Sequence, residues 1–187
     1  MDELSIDSTH LIGNSMGTSI SLQLCSDFPE RIKRAVLCAP IPKLTTIARY
    51  RSQILTKALE SGIDRRLFVE LTLPWLFSNH MFEDPKITEL LVVNFLEDPH
   101  PQPLEGWKAQ LAALSAFEIG ECAHKIPHEI LLLAGENDLF TPPDGAEWLC
   151  DQILNAQLTI LKGQGHAFIK EKQAEVLSLT QKFLTGK

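Results

Sequence analysis

No apolar run in this chain approaches the roughly 20 residues a membrane helix needs, and the opening MDELSIDSTH lacks the basic-then-apolar order of a secretory leader. A membrane partner is therefore not expected. Its four cysteines, Cys25, Cys38, Cys122 and Cys150, are scattered with no CxxC pair. This spacing speaks against a zinc site or a disulfide framework and predicts reduced, half-buried thiols in a cytoplasmic protein. Positive charge is also short: 17 Lys and Arg stand against 24 Asp and Glu, a net charge of -7 with the six histidines neutral. A nucleic-acid partner would need a basic face, so that class is excluded. There is no internal repeat and no low-complexity tract, which removes solenoids and linkers. What remains is an ordinary globular composition, 44% hydrophobic and 22% charged over 187 residues, enough to bury one sizeable core.

Four short apolar runs have the length and boundaries of buried strands: Thr9 to Gly13, Ala35 to Ala39, Glu129 to Gly135 and Gln157 to Lys162. Each leads into a helical pattern, so the class is α/β with a mostly parallel sheet of about four strands and helices on both faces. The stretch between the second and third runs far exceeds the dozen or so residues a parallel crossover needs, so most of it reads as an inserted helical cap. Its helices are signalled by Leu44, Ile47, Ile54, Leu55 and Leu59 before Gly62, by Asp84-Pro85 before Ile87, Leu90, Leu91 and Phe95, and by Leu104, Trp107, Leu111 and Leu114. The expected organisation is a core of residues 1–40 and 128–187 with a cap over 41–127.

Gly13-Asn14-Ser15-Met16-Gly17 matches G-x-S-x-G, in which small outer residues permit a strained strand-to-helix turn that lifts the serine hydroxyl clear of the sheet. The pattern alone is weak, but an apolar strand precedes it and a helix follows, aiming backbone N–H groups at the site. A serine needs a base to take its proton and a carboxylate to orient that base. Asp138 follows the third run in AGEND, and His166 follows the fourth in GQGH. Ligands of open parallel sheets bind beyond the strands' carboxyl ends, so three residues remote in sequence converge on one rim.

GNSMG, AGENDLFTP and GQGHAF, in that order, resemble the α/β-hydrolase superfamily, and the resemblance extends through FPERIKRAVLCAP and the helical cap. It implies a serine hydrolase in which Ser15 attacks an acyl carbon, His166 moves the proton, Asp138 orients His166, and the Met16 N–H serves the oxyanion. It implies no cofactor and no metal, and a small, partly apolar acyl substrate bearing an ester or lactone bond. Asn14 is similar to the residue found in hydrolases of carbon-carbon bonds, whereas Ala167-Phe168 depart from the tryptophan that commonly follows their histidine; acyl transfer or perhydrolysis is a further alternative. Thr18 stands where many relatives carry glycine. The strands and the glycine-containing oxyanion loop that the family places before the elbow are not seen, and Met1 to Asp7 reads as the last turn of a preceding helix. The expectation is a truncated chain or remnant, including a non-catalytic scaffold; the alternative is a minimal hydrolase completed by a homodimer through the exposed sheet edge.

Asn14, Trp75, Phe77, His80 and Trp107, with Phe82, are candidates to line a substrate pocket under the cap, or equally to form cap core. His124 and His128 have i, i+4 spacing, but Pro127 interrupts any shared helix face, so no metal site is expected. Glu136 reads as structural, and Glu171 with Lys172 as a solvated helix start.

Overall fold

Alternation along the strands decides the layering. The computed structural model describes residues 1–186 and contains a four-stranded parallel sheet in sequence order: β1 (Thr9–Asn14), β2 (Ile32–Cys38), β3 (Glu129–Gly135) and β4 (Ala156–Leu161). One row runs Gly13, Leu37, Leu132, Leu158 across all strands. Ala35 and Leu37 of β2 and Ile130 and Leu132 of β3 pack with Leu22, Cys25, Leu149 and Ile153, which come from one layer of helices. Their neighbours Val36, Cys38, Leu131 and Leu133 pack on the other face with Phe168 and Val176. A period of two thus feeds two apolar layers.

The first layer contains α1 (Met16–Asp27) and α6 (Pro143–Gln152); the second contains α7 (Phe168–Glu171) and α8 (Gln173–Thr185). Strand β2 begins three residues before the apolar run suggests. Lys33 is exposed and Arg34 turns outward to Glu129 at 2.9 Å and to the Phe183 carbonyl, so these charged residues continue the ladder without interrupting the core. The four cysteines are free, but they are not uniformly half-buried: Cys25 and Cys38 are fully buried, Cys150 is intermediate and Cys122 exposed. Burial pushes the thiols of Cys25 and Cys38 up to about 12 and about 11. At one edge of the sheet, Ile12 of β1 is 61% exposed.

Between β2 and β3 lie four helices: α2 (Thr46–Glu60), α3 (Arg65–Leu76), α4 (Pro85–Leu96) and α5 (Leu104–Ala116). The sequence indicates three of them and misses α3. There Leu67, Val69, Leu71 and Leu73 alternate, and Pro74 lies inside the helix. The Asp64 carboxylate nonetheless caps the Leu67 N–H at 3.0 Å, and the helix turns Val69 and Leu73 inward while Leu67 and Leu71 stay 46% exposed. The segment leaves and returns through a neck, where Lys43 bridges Glu118 antiparallel and the Ile119 N–H donates to the Pro42 carbonyl at 3.0 Å. Among the described residues no helix is long and apolar enough to cross a membrane.

Candidate active site

The turn after β1 is shaped by close approach. A Cβ on Gly13 would lie 2.6 Å from the Gly17 carbonyl oxygen and 2.8 Å from Ser21 Oγ, so no side chain fits there. Gly17 meets no such limit: nothing lies within 4 Å of its would-be Cβ. Its backbone is what packs under the turn. Ser15 is held at φ 51°, ψ -119°, a strained setting for a residue with a side chain. Its N–H donates to the Cys38 carbonyl at 2.9 Å, and its own carbonyl accepts both the Thr18 N–H and the Thr18 hydroxyl, the latter at 2.6 Å. The threonine at this position therefore ties the turn down from a fully buried site.

Three strand ends bring the side chains together. Ser15 Oγ lies 3.0 Å from His166 Nε2, and His166 Nδ1 donates to Asp138 Oδ2 at 2.8 Å. The Asp138 carboxylate is buried and fully partnered: Oδ1 accepts the N–H groups of Phe140 and Thr141, each at 2.8 Å, and Oδ2 accepts the Thr141 hydroxyl at 2.6 Å. These donors hold a charge that desolvation alone would make costly. Gly135 admits this packing, since a Cβ there would lie 2.4 Å from the Gly165 carbonyl beside His166. Phe140 lies against the imidazole, ring centres 5.4 Å apart.

Ser15, Met16, Phe140, Thr141 and His166 line a cavity of about 620 Å³ whose other walls come mostly from the four helices, including Phe68, Val69, Leu73, Trp107 and Leu111, and from the loops beside them. Ser52, Thr72, Gln102 and Gln110 add polar points to a mainly apolar wall. Met16 opens α1, so its N–H precedes the helix's internal hydrogen-bond ladder, and the residue lines the cavity. Of the aromatic pocket candidates, Trp107 lines the cavity, its Nε1 donating to Thr56 Oγ1 at 2.8 Å. The others lie elsewhere. Trp75 stacks under Arg51 at 4.0 Å, Phe77 is buried with Val69, Leu73 and Val92, and Phe82 packs against that cluster. His80 faces Ser78 and Glu171, and Asn14 is exposed at the end of β1. His128 Nε2 donates to the Pro29 carbonyl, while His124 sits near Glu121.

Glu136 turns away from the cluster to Lys162 at 2.7 Å and to the Gly163 N–H, which hold its carboxyl below the usual range. The sequence does not single out Thr141 for the site, although a threonine three residues after an aspartate is a recurring local hydrogen-bond pattern. Phe68 and Ser52 carried no local signal, because nothing in a helix's own spacing says which face will meet a cavity.

The chain is similar to the 2-hydroxy-6-oxo-6-phenylhexa-2,4-dienoate hydrolase of Burkholderia cepacia, 28% identical over 175 residues, which cover 89% of this chain and 59% of that protein. The enzyme of the same name from Comamonas testosteroni is 29% identical over 193 residues, covering 98% of this chain and 65% of its own. The chain thus spans 59 to 65% of the length of these two relatives. In fold it resembles MGS-M2, an α/β-hydrolase enzyme from a Medee basin deep-sea metagenome library, with a TM-score of 0.87, 23% identity, and coverage of 98% of this chain and 67% of that one. Residues 1–173 match the alpha/beta hydrolase fold family, and with its parallel sheet and its turn at Ser15 the chain belongs to that family.

Proposed function

We propose that this chain is the catalytic part of a serine hydrolase that cleaves an ester, lactone or related acyl bond of a small, partly apolar substrate. The observation that carries it is the unbroken relay from Ser15 Oγ through His166 to the buried Asp138, opening on an apolar cavity. Ser15 Oγ attacks the acyl carbon as His166 Nε2 takes its proton, and the Met16 N–H donates to the oxyanion that forms. Collapse expels the leaving group, which His166 protonates. Water then attacks the acyl-enzyme, giving up a proton to His166 and releasing the acid and free Ser15. Residues 41–127 act as the cap that shapes the acyl pocket. The relatives' names favour a second reading, hydrolysis of a carbon-carbon bond in a dienoate. Asn14, which the sequence links to that chemistry, does not line the cavity, so the acyl-ester reading stands first.

A fluorophosphonate should label the chain stoichiometrically at Ser15, and Ser15→Ala should abolish the label. Absence of labelling in the unaltered chain, or its persistence in Ser15→Ala, would refute the assignment. Paired assays with an aryl ester and a ring-fission dienoate separate the two substrate readings.

A further inference from the structure

Beside the Ser15 site, one carboxylate is buried with no part in the relay. Glu171 closes the short helix α7, where its position and the following Lys172 predict a solvated side chain. It is instead 0% exposed. A carboxylate stays charged in such a place only when hydrogen bonds replace its water. Oε1 accepts the Ser78 N–H at 3.0 Å, Oε2 accepts the Ser78 hydroxyl, and His80 Nε2 lies 3.6 Å from Oε2. Ser78 is itself buried, and its Oγ is 3.0 Å from His80 Nδ1.

These bonds lie on a seam that runs past His166. The residue after it, Ala167, donates its N–H to the Leu76 carbonyl at 2.7 Å. The residue before it, Gly165, approaches the same backbone so closely that a Cβ would lie 2.9 Å from the Ser78 nitrogen and 3.0 Å from the Leu76 oxygen. His166 is therefore flanked on both sides by contacts to residues 76–78, and Glu171 binds that stretch from the far end of the same loop and helix. We propose that Glu171 is a positioning residue: by gripping Ser78 it clamps residues 76–78 against the loop that carries His166, and so sets the distance from imidazole to Ser15. The consequence for rate rests on the hydrolase reading above; the clamp itself does not. A misplacement of about 1 Å in such a group can cost on the order of 100-fold in rate.

The test compares the full chain with Glu171→Ala, Glu171→Gln and Ser78→Ala. Three quantities are read: amide hydrogen exchange at Ala167, the low-field imidazole NMR signal of the His166–Asp138 pair, and the rate of Ser15 labelling by a fluorophosphonate. In Glu171→Ala the Ala167 amide should exchange about 10-fold faster while the strands keep their protection, the imidazole signal should broaden, and labelling should slow by about 10- to 100-fold. Glu171→Gln keeps an acceptor for the Ser78 N–H and should recover part of each change. Ser78→Ala, which removes only the hydroxyl, should move all three in the same direction by less; if Glu171→Ala does not fold, Ser78→Ala and Glu171→Gln decide. Unchanged Ala167 exchange and an unchanged imidazole signal in the folded variants overturn the proposal, as does a lowered melting temperature with labelling at the full rate. If the unaltered chain is not labelled, the hydrolase reading fails, and exchange and the imidazole signal still decide the clamp.

Discussion

The sheet and the helices between β2 and β3 are built to different densities. In β2 and β3, Ala35, Val36, Leu37, Ile130, Leu132 and Leu133 are all 0% exposed. In the intervening segment α5 buries no residue fully, α4 only Val92, and α3 only Val69 and Leu73. Close packing leaves no room for side chains to move, so it holds groups at fixed distances. Thin packing leaves a space. The three residues of the relay stand at strand ends in the dense part, whereas most of the cavity wall belongs to the thin part. On the proposed serine-hydrolase reading, the contrast is a division of labour: geometry for chemistry on one side, shape for the substrate on the other.

The sharpest probe of the dense side is Asp138→Asn. It keeps the shape but upsets the imidazole tautomer, and kcat should fall by about 10,000-fold with the melting temperature little changed. Next, Leu132→Ala should destabilise the chain by about 2–5 kcal/mol in urea unfolding, because its neighbours cannot collapse into the gap. The matching change in the thin part, Leu111→Ala, should cost less than about 1 kcal/mol, since Leu111 is only half-buried, while KM shifts in favour of bulkier acyl groups. Equal losses from the two leucine changes would break the comparison. Trp107→Phe removes the bond to Thr56, worth about 1 kcal/mol, and should raise KM more than it lowers kcat.

The smallest effect belongs to the surface of the dense side. Lys162 and the Gly163 N–H depress the carboxyl of Glu136 below 4.5, so its contribution to stability is present above that value and is lost as the pH falls through the lower, folded one. Glu136→Gln should therefore be slightly less stable than the unaltered chain at neutral pH, and the difference should vanish in acid, as unfolding curves at the two pH values would show.

Much of the dense side was legible in the residues themselves. An apolar run of strand length declares a buried strand, and β3 begins and ends where its run does. Ser15, Asp138 and His166 were readable because each sits just past such a run, in a short motif whose turn is local. The pocket candidates were not: Trp75, Phe77 and Trp107 are alike as letters, yet one stacks on Arg51, one is core and one lines the cavity. A helix presents several faces, and its own spacing does not name the neighbour each will meet. Helix α3 was hidden by alternating leucines and by Pro74, and it is held by a cap and by packing against α4.

The sequence by itself determined the strands, the strained turn at Ser15 and the order of serine, acid and histidine, because each depends on residues a few positions apart. Only the tertiary structure decided that Glu171 is buried on Ser78, 93 residues away, and which side chains wall the cavity. Those outcomes depend on which surfaces dock once the elements have formed, and a charged letter such as glutamate keeps its preference for water until a distant chain segment supplies the hydrogen bonds that replace it.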